Sequence, residues 1–98
     1  MSASLSTHVL DTGAGRPAAG VRVELYRGDV LVAHGETDED GRIRGLHGDL
    51  EPGEYRLVFF PPSPFFRRVE LGIELGADAH YHVPLVVSPY SCASYRGS

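Results

Sequence analysis

Ninety-eight residues, 42% hydrophobic and 22% charged, have the size and balance of one ordinary globular domain, 1–98, with a thin core: so short a chain buries only roughly 60–70% of the surface its unfolded form exposes. The net charge of −4 is scattered and no basic cluster exceeds Arg67-Arg68, which argues against nucleic acid and against an anionic membrane surface as partners. All nine basic residues are Arg, which removes Schiff-base and pyridoxal phosphate chemistry, and the lone Cys92 removes an intrachain disulfide and a cysteine-based structural zinc site.

The opening residues Met1-Ser2-Ala3-Ser4 bring neither a basic nor a long apolar segment, and no run of about 18 apolar residues exists. A cytoplasmic location is the expectation. Residues 5–10 predict a first strand, and Asp11-Thr12-Gly13-Ala14-Gly15-Arg16-Pro17 supplies turn chemistry after it. Residues 21–26 then alternate with period two. Residues 30–34 give a third strand, and the polar turn Thr37-Asp38-Glu39-Asp40-Gly41 leads into a short fourth at Arg42-Ile43-Arg44. The Pro52-Gly53 turn precedes a fifth, at 55–60. Pro61-Pro62-Ser63-Pro64 breaks the series, after which 66–75 and 81–87 predict two longer strands. No stretch repeats apolar residues at three and four, so no helix of more than about two turns is expected. Seven or eight short strands argue for an all-β, two-sheet sandwich.

Period two also sorts the candidate chemistry. In the first strand Leu5, Thr7 and Val9 share the face suited to a core, which leaves Ser6, His8 and Leu10 opposite. In the late strand Tyr81, Val83, Leu85 and Val87 form an apolar face, which leaves His82, Pro84, Val86 and Ser88 outside. An outer face that mixes imidazole with Leu10, Pro84 and Val86 suits a subunit interface or a pocket. Two histidines there suit acid–base work, and a pair of lone surface histidines is the plainer reading of the same pattern. His34, His47 and His80 fall in or beside turns, where solvated surface is expected.

Arg42 and Arg44 lie on one side by alternation, and either could grip a planar, carbonyl-rich or anionic ligand through its guanidinium fork. Spacing does not choose between them. Cys92 has no nearby histidine base and reads as a packed thiol, while His80 and His82 lack an acidic or thiolate partner at metal-binding spacing, so no metal is expected. By the general rule for chain ends, Tyr95-Arg96-Gly97-Ser98 would fray.

Four ordered blocks resemble the 5-hydroxyisourate hydrolases, the transthyretin-related enzymes. They are Leu5-Ser6-Thr7-His8-Val9-Leu10-Asp11-Thr12 with Gly15-Arg16-Pro17-Ala18, then Thr37-Asp38-Glu39-Asp40-Gly41-Arg42, Tyr81-His82-Val83-Pro84-Leu85 and Tyr95-Arg96-Gly97-Ser98. The resemblance implies a transthyretin/prealbumin-like sandwich of two roughly four-stranded sheets. It implies a homotetramer, a dimer of dimers with active sites at the interface. It also implies hydrolysis of 5-hydroxyisourate to 2-oxo-4-hydroxy-4-carboxy-5-ureidoimidazoline without a cofactor. His8, Arg42, His82 and Ser98 stand at positions implied to be catalytic, which selects Arg42 over Arg44, and Arg42 with Tyr95, Arg96, Gly97 and Ser98 would bind substrate. Two departures stand out. The connection between Phe60 and Phe66 is too short for the family's usual short helix, and Cys92-Ala93 differ from the usual approach to the terminus. A noncatalytic carrier of small aromatic ligands and a structural module are the rivals on the same fold, and neither has a use for both histidines, Arg42 and the closing tetrapeptide together.

Overall fold

Period-two alternation carries the chain through nine strands among the described residues of the computed structural model, which are 2–77 and 79–97. In chain order they are β1 (Ala3–Asp11), β2 (Arg16–Pro17), β3 (Arg22–Arg27), β4 (Val30–Glu36), β5 (Arg42–Leu50), β6 (Gly53–Phe59), β7 (Val69–Leu75), β8 (His80–Ser88) and β9 (Ser91–Ser94). One sheet is antiparallel throughout, in the order β4-β3-β6-β7. The other is built around β1. One edge of β1 pairs in parallel with β8, which carries β9 on its far side, while its other edge pairs antiparallel with β5 and then, further along, with β2.

The inward faces are those that alternation predicts. Leu5, Val9, Leu85 and Val87 of the first sheet and Val23, Leu25, Leu57 and Phe59 of the second are all at most 1% exposed and form one cluster. Each such side chain contributes about 1.5–3 kcal/mol relative to an exposed position. Thr7 sits in the same row, fully buried, because its Oγ1 donates to the Val83 carbonyl at 2.6 Å and so leaves no unsatisfied hydroxyl in the core. Ser6, His8, His80 and His82 are thereby fixed on the opposite, outer face.

The turn before β5 is set by one side chain. Asp38 Oδ1 accepts from the backbone N–H of both Asp40 and Arg42 at 2.9 Å, and Asp38's own backbone closes onto Gly41 and Arg42. The N–H bond from Arg42, followed by that from Asp40, holds the Asp38 carboxyl below the ordinary aspartate range. Gly41 is required here. Its φ is +75°, and a Cβ would stand 2.5 Å from the Val9 carbonyl oxygen and 2.9 Å from Pro17 Cβ.

The structure differs from the sequence expectations in several bounds. The short strand expected at residues 42–44 runs nine residues to Leu50, with β-bulges against β1. His47 therefore lies within β5 and is only half-exposed, while His34 lies within β4, as expected, and is exposed. β7 begins at Val69 instead of residue 66, and residues 61–68 hold neither helix nor strand. β9 and the two-residue β2 were not expected as strands. Cys92 lies in β9, packed against the core, and burial pushes its thiol up from the ordinary value, as suits a structural cysteine.

Candidate active site

Three adjacent strands, β5-β1-β8, bring the candidate residues into one row. Arg42 pairs directly with His8 across the β1–β5 ladder, and Ser6 pairs with His82 across the parallel β1–β8 ladder. Residues opposite each other in a ladder project to the same face, so a guanidinium, two imidazoles and a hydroxyl gather from positions up to 76 residues apart in sequence. The His8 and His82 rings stand 6.5 Å apart and tilted by 40°. A cleft of about 190 Å³ opens between the strands, lined by Ser6, Thr7, Arg42, Arg44 and His82. Larger depressions lie beside the turn after β1, lined by residues such as Asp11, Arg16 and Pro17. Neither brings an imidazole to its wall: one holds the carboxylates of Asp11 and Glu39 with Arg16, the other the charged groups of Asp11 and Arg16 alone.

Each histidine is oriented by a fixed partner. His8 Nε2 lies 2.9 Å from the Asp40 carbonyl oxygen. A carbonyl only accepts, so Nε2 carries the proton and Nδ1 is left as the lone-pair nitrogen of the neutral ring. Asp40 belongs to the turn that Asp38 locks, and the same turn therefore aims Arg42 and His8 together. His82 Nδ1 lies 2.8 Å from Ser6 Oγ, and Ser6 Oγ lies 2.8 Å from His80 Nε2. His80 Nδ1 in turn lies 2.6 Å from Ser4 Oγ. His82 titrates below the ordinary imidazole value, first because burial disfavours its cation and then because Arg42, His8 and His80 add positive neighbours. It is accordingly a neutral imidazole at neutral pH.

The chain's closing residues reach this site from behind. The Gly97 N–H donates to the His82 carbonyl at 2.7 Å, a bridge that lays residue 97 along the ring. A Cβ there would stand 2.7 Å from His82 Cδ2. The Arg96 guanidinium stacks 4.3 Å over the Tyr81 ring, which alternation puts on the other face of β8, and Tyr95 is exposed. Arg96 and Tyr95 do not line the cleft. Ser98 lies outside the described residues. Arg44 also lines the cleft and reaches the Asp40 carboxylate at 3.7 Å, so both arginines of the alternation pair are present there.

Sequence reasoning missed the parts played by Ser6 and His80. Alternation puts Ser6 on the histidine face without assigning it a role, and the neighbouring turn predicts a solvated His80. His80 is indeed exposed, yet it opens β8 and both of its ring nitrogens meet hydroxyls of β1. Alternation within each strand was the available signal. The parallel pairing of β1 with β8 was the missing piece, because nothing local announces which strands are neighbours.

Fold and site together define a transthyretin-like β-sandwich that carries an imidazole and guanidinium cleft on the outer face of one sheet. Residues 5–97 match the family described as Transthyretin: HIUase/Transthyretin family, and the chain belongs to it. The 5-hydroxyisourate hydrolase 2 of Rhizobium meliloti (strain 1021) is 42% identical over 117 aligned positions that cover 99% of this chain and 98% of the relative. Those positions outnumber the 98 residues of this chain, so the relative carries residues that this chain lacks. The structure of Klebsiella pneumoniae 5-hydroxyisourate hydrolase is similar with a TM-score of 0.88 at 34% identity, covering 98% of this chain and 99% of that one. Sea bream transthyretin in complex with thyroxine gives 0.85 at 25% identity, covering 95% and 93%.

Proposed function

We propose that this chain hydrolyses 5-hydroxyisourate to 2-oxo-4-hydroxy-4-carboxy-5-ureidoimidazoline, as one domain acting in urate degradation in the cytoplasm. The observation that carries the reading is the cross-strand row of His8, Arg42 and His82, in which Arg42 and His82 line one cleft and the His8 ring stands 6.5 Å from His82, in a chain whose relatives bear that enzyme's name. Water adds to a ring carbonyl carbon of the substrate, the carbonyl oxygen becomes an oxyanion, and the bond from that carbon to the ring nitrogen breaks. His82 is the base: Nδ1 is engaged by Ser6, which leaves Nε2 for the water, and the neutral ring has a lone pair to offer. A positioned base contributes about 10²–10⁴-fold.

Arg42 stabilises the oxyanion and orients the planar substrate by its fork of donors. His8, held by Asp40 with its Nδ1 lone pair available, fixes the substrate's N–H or shares the water. Gly97 backs the His82 ring, and Ser98, which the family resemblance implies to be catalytic, belongs to the proposed machinery on that ground alone. No cofactor or metal enters the reaction. The cleft of about 190 Å³ is below the roughly 300–1,000 Å³ usual for ligand pockets. A second copy of the chain laid over the outer face would close it, and Leu10 and Val86, on that face and only partly buried, supply apolar surface for the contact. The proposal includes a homotetramer, a dimer of dimers with the sites between dimers, as the family resemblance implies.

The test generates 5-hydroxyisourate in place with urate oxidase and follows its absorbance decay with and without the protein. Acceleration over the spontaneous rate, lost in His82→Ala and in Arg42→Ala with folding retained, supports the reading. Equal decay with and without the protein sinks it.

A further inference from the structure

Four side chains form an unbroken line from the cleft to the surface: His82, Ser6, His80 and Ser4, with gaps of 2.8, 2.8 and 2.6 Å. The line alternates imidazole and hydroxyl. Ser6 has a single hydroxyl proton and lies between two ring nitrogens. When it donates to His82 Nδ1, the bond to His80 requires a proton on His80 Nε2; when it donates to His80 Nε2, His82 Nδ1 must bring its own. The two neutral rings are thus coupled, and the line has two complementary settings.

Resting on the hydrolytic reading above, we propose that Ser6 and His80 are positioning residues of a reversible proton relay, which lets His82 serve as base and then as acid without becoming a cation. In the first setting His82 Nδ1–H donates to Ser6, Ser6 donates to His80 Nε2, and His80 Nδ1–H donates to Ser4. His82 Nε2 then holds a lone pair. As Nε2 takes a proton from the attacking water, Nδ1 passes its own to Ser6, Ser6 passes its own to His80 Nε2, and His80 Nδ1 releases one through Ser4 to solvent. His82 is left neutral with the proton on Nε2. That proton then goes to the departing ring nitrogen, and the line runs backwards: Ser6 gives to His82 Nδ1, His80 Nε2 gives to Ser6, and solvent returns a proton to His80 Nδ1. One proton leaves and one enters, so the line ends as it began.

The surroundings favour a relay over a held charge. Arg42 and Arg44 from β5, His8 from β1 and His80 from β8 all face His82, and the Asp40 carboxylate is taken up with Arg44. An imidazolium there would meet positive neighbours and partial burial. The outlet is suited to its part, because His80 and Ser4 make an exposed pair while Ser6 is only 7% accessible and is held between strands. The Ser6 hydroxyl has a ring nitrogen at 2.8 Å on either side.

The experiment compares the full-length protein with Ser6→Ala, His80→Gln and the conservative Ser6→Thr, after thermal melting has confirmed folding. Expected for Ser6→Ala and His80→Gln is a fall in kcat of roughly 10–100-fold, part of what positioned acid–base groups supply, with KM within about twofold. The solvent-deuterium proton inventory should be curved in the wild type and linear in both variants, and Ser6→Thr should restore the curve. Independently of turnover, the nitrogen-15 shifts of His80 and His82 should report the same tautomer on both rings in the wild type, both Nδ1–H or both Nε2–H, and lose that correlation in Ser6→Ala. Wild-type kcat and an unchanged inventory in Ser6→Ala would overturn the relay, as would uncorrelated tautomers in the wild type. Absence of any activity in the wild type would count against the hydrolytic reading alone, leaving the tautomer measurement to decide the relay.

Discussion

Replacing Gly97 by Ala separates the site from the fold more cleanly than any other single change. The added Cβ would lie 2.7 Å from His82 Cδ2 and 3.3 Å from the His82 carbonyl oxygen. Carbon atoms in contact prefer about 3.5–4.0 Å, so the ring or the closing segment must give way by about 1 Å. If the ring moves, its 2.8 Å bond to Ser6 is lost; if residue 97 moves, its N–H leaves the His82 carbonyl, at a net cost of about 0.5–1.5 kcal/mol. A misplacement of 1 Å at a reacting group costs on the order of 10²-fold. The expected result is therefore a loss of about 10²-fold in kcat/KM for 5-hydroxyisourate with a melting temperature lowered by no more than about 10 °C. Gly72→Ala, in β7 with nothing within 4 Å of its added Cβ, is the control and should keep full activity. A Gly97→Ala protein as fast as the wild type would show that the closing segment does not set the position of His82.

Arg42→Gln should raise the pKa of His82, followed by NMR against pH, because it removes one positive neighbour; burial, the larger cause, keeps the value below that of a free imidazole. With the folded value depressed, stability should fall as pH drops from the ordinary imidazole pKa to the folded one, and this interval should narrow in Arg42→Gln. Thr37→Val removes two bonds at a buried position, one accepted from the Val21 N–H and one donated to the Ala18 carbonyl. It should cost roughly 2–4 kcal/mol in denaturant unfolding. Gly41→Ala combines a left-handed backbone with a 2.5 Å clash against Val9. It should cost at least about 2 kcal/mol and lose activity with stability, unlike Gly97→Ala.

The faces of the strands were legible because alternation is local. Leu5, Thr7 and Val9 against Ser6, His8 and Leu10 can be sorted from six consecutive letters, and the structure buries Leu5, Thr7 and Val9 fully. The extent of β5 was not legible, since Gly45, Gly48 and Asp49 dilute its pattern and its bulges break the period. Ser6 and His80 were invisible as a pair for a different reason. Their proximity depends on a parallel register between residues 76 apart, which is a property of the assembled sheet and not of either segment. The choice of Arg42 over Arg44 came from family resemblance, and the cleft itself contains both.

Sea bream transthyretin holds thyroxine on a fold similar to this one, so the sandwich alone does not decide between carrying and cleaving. The difference must lie in what the outer face offers. A carrier gains from an apolar wall and loses from every unpaired polar group it must desolvate when its ligand enters. Here the face between β5 and β8 presents imidazoles, two guanidinium groups and a hydroxyl, and its imidazoles are tied into defined donors and acceptors: His8 by Asp40, His82 by Ser6, and His80 by Ser6 and Ser4. Such ordering is costly for a passive wall and useful for proton transfer, where a proton must be on a known nitrogen at a known moment. The expectation is quantitative in direction: thyroxine should bind this chain more weakly than it binds a transthyretin, and converting His8 and His82 together to apolar residues should strengthen thyroxine binding while abolishing hydrolysis. Titration calorimetry on the wild type and the double variant tests it, and tight thyroxine binding by the wild type would show that the ordered polar row does not exclude a carrier's ligand.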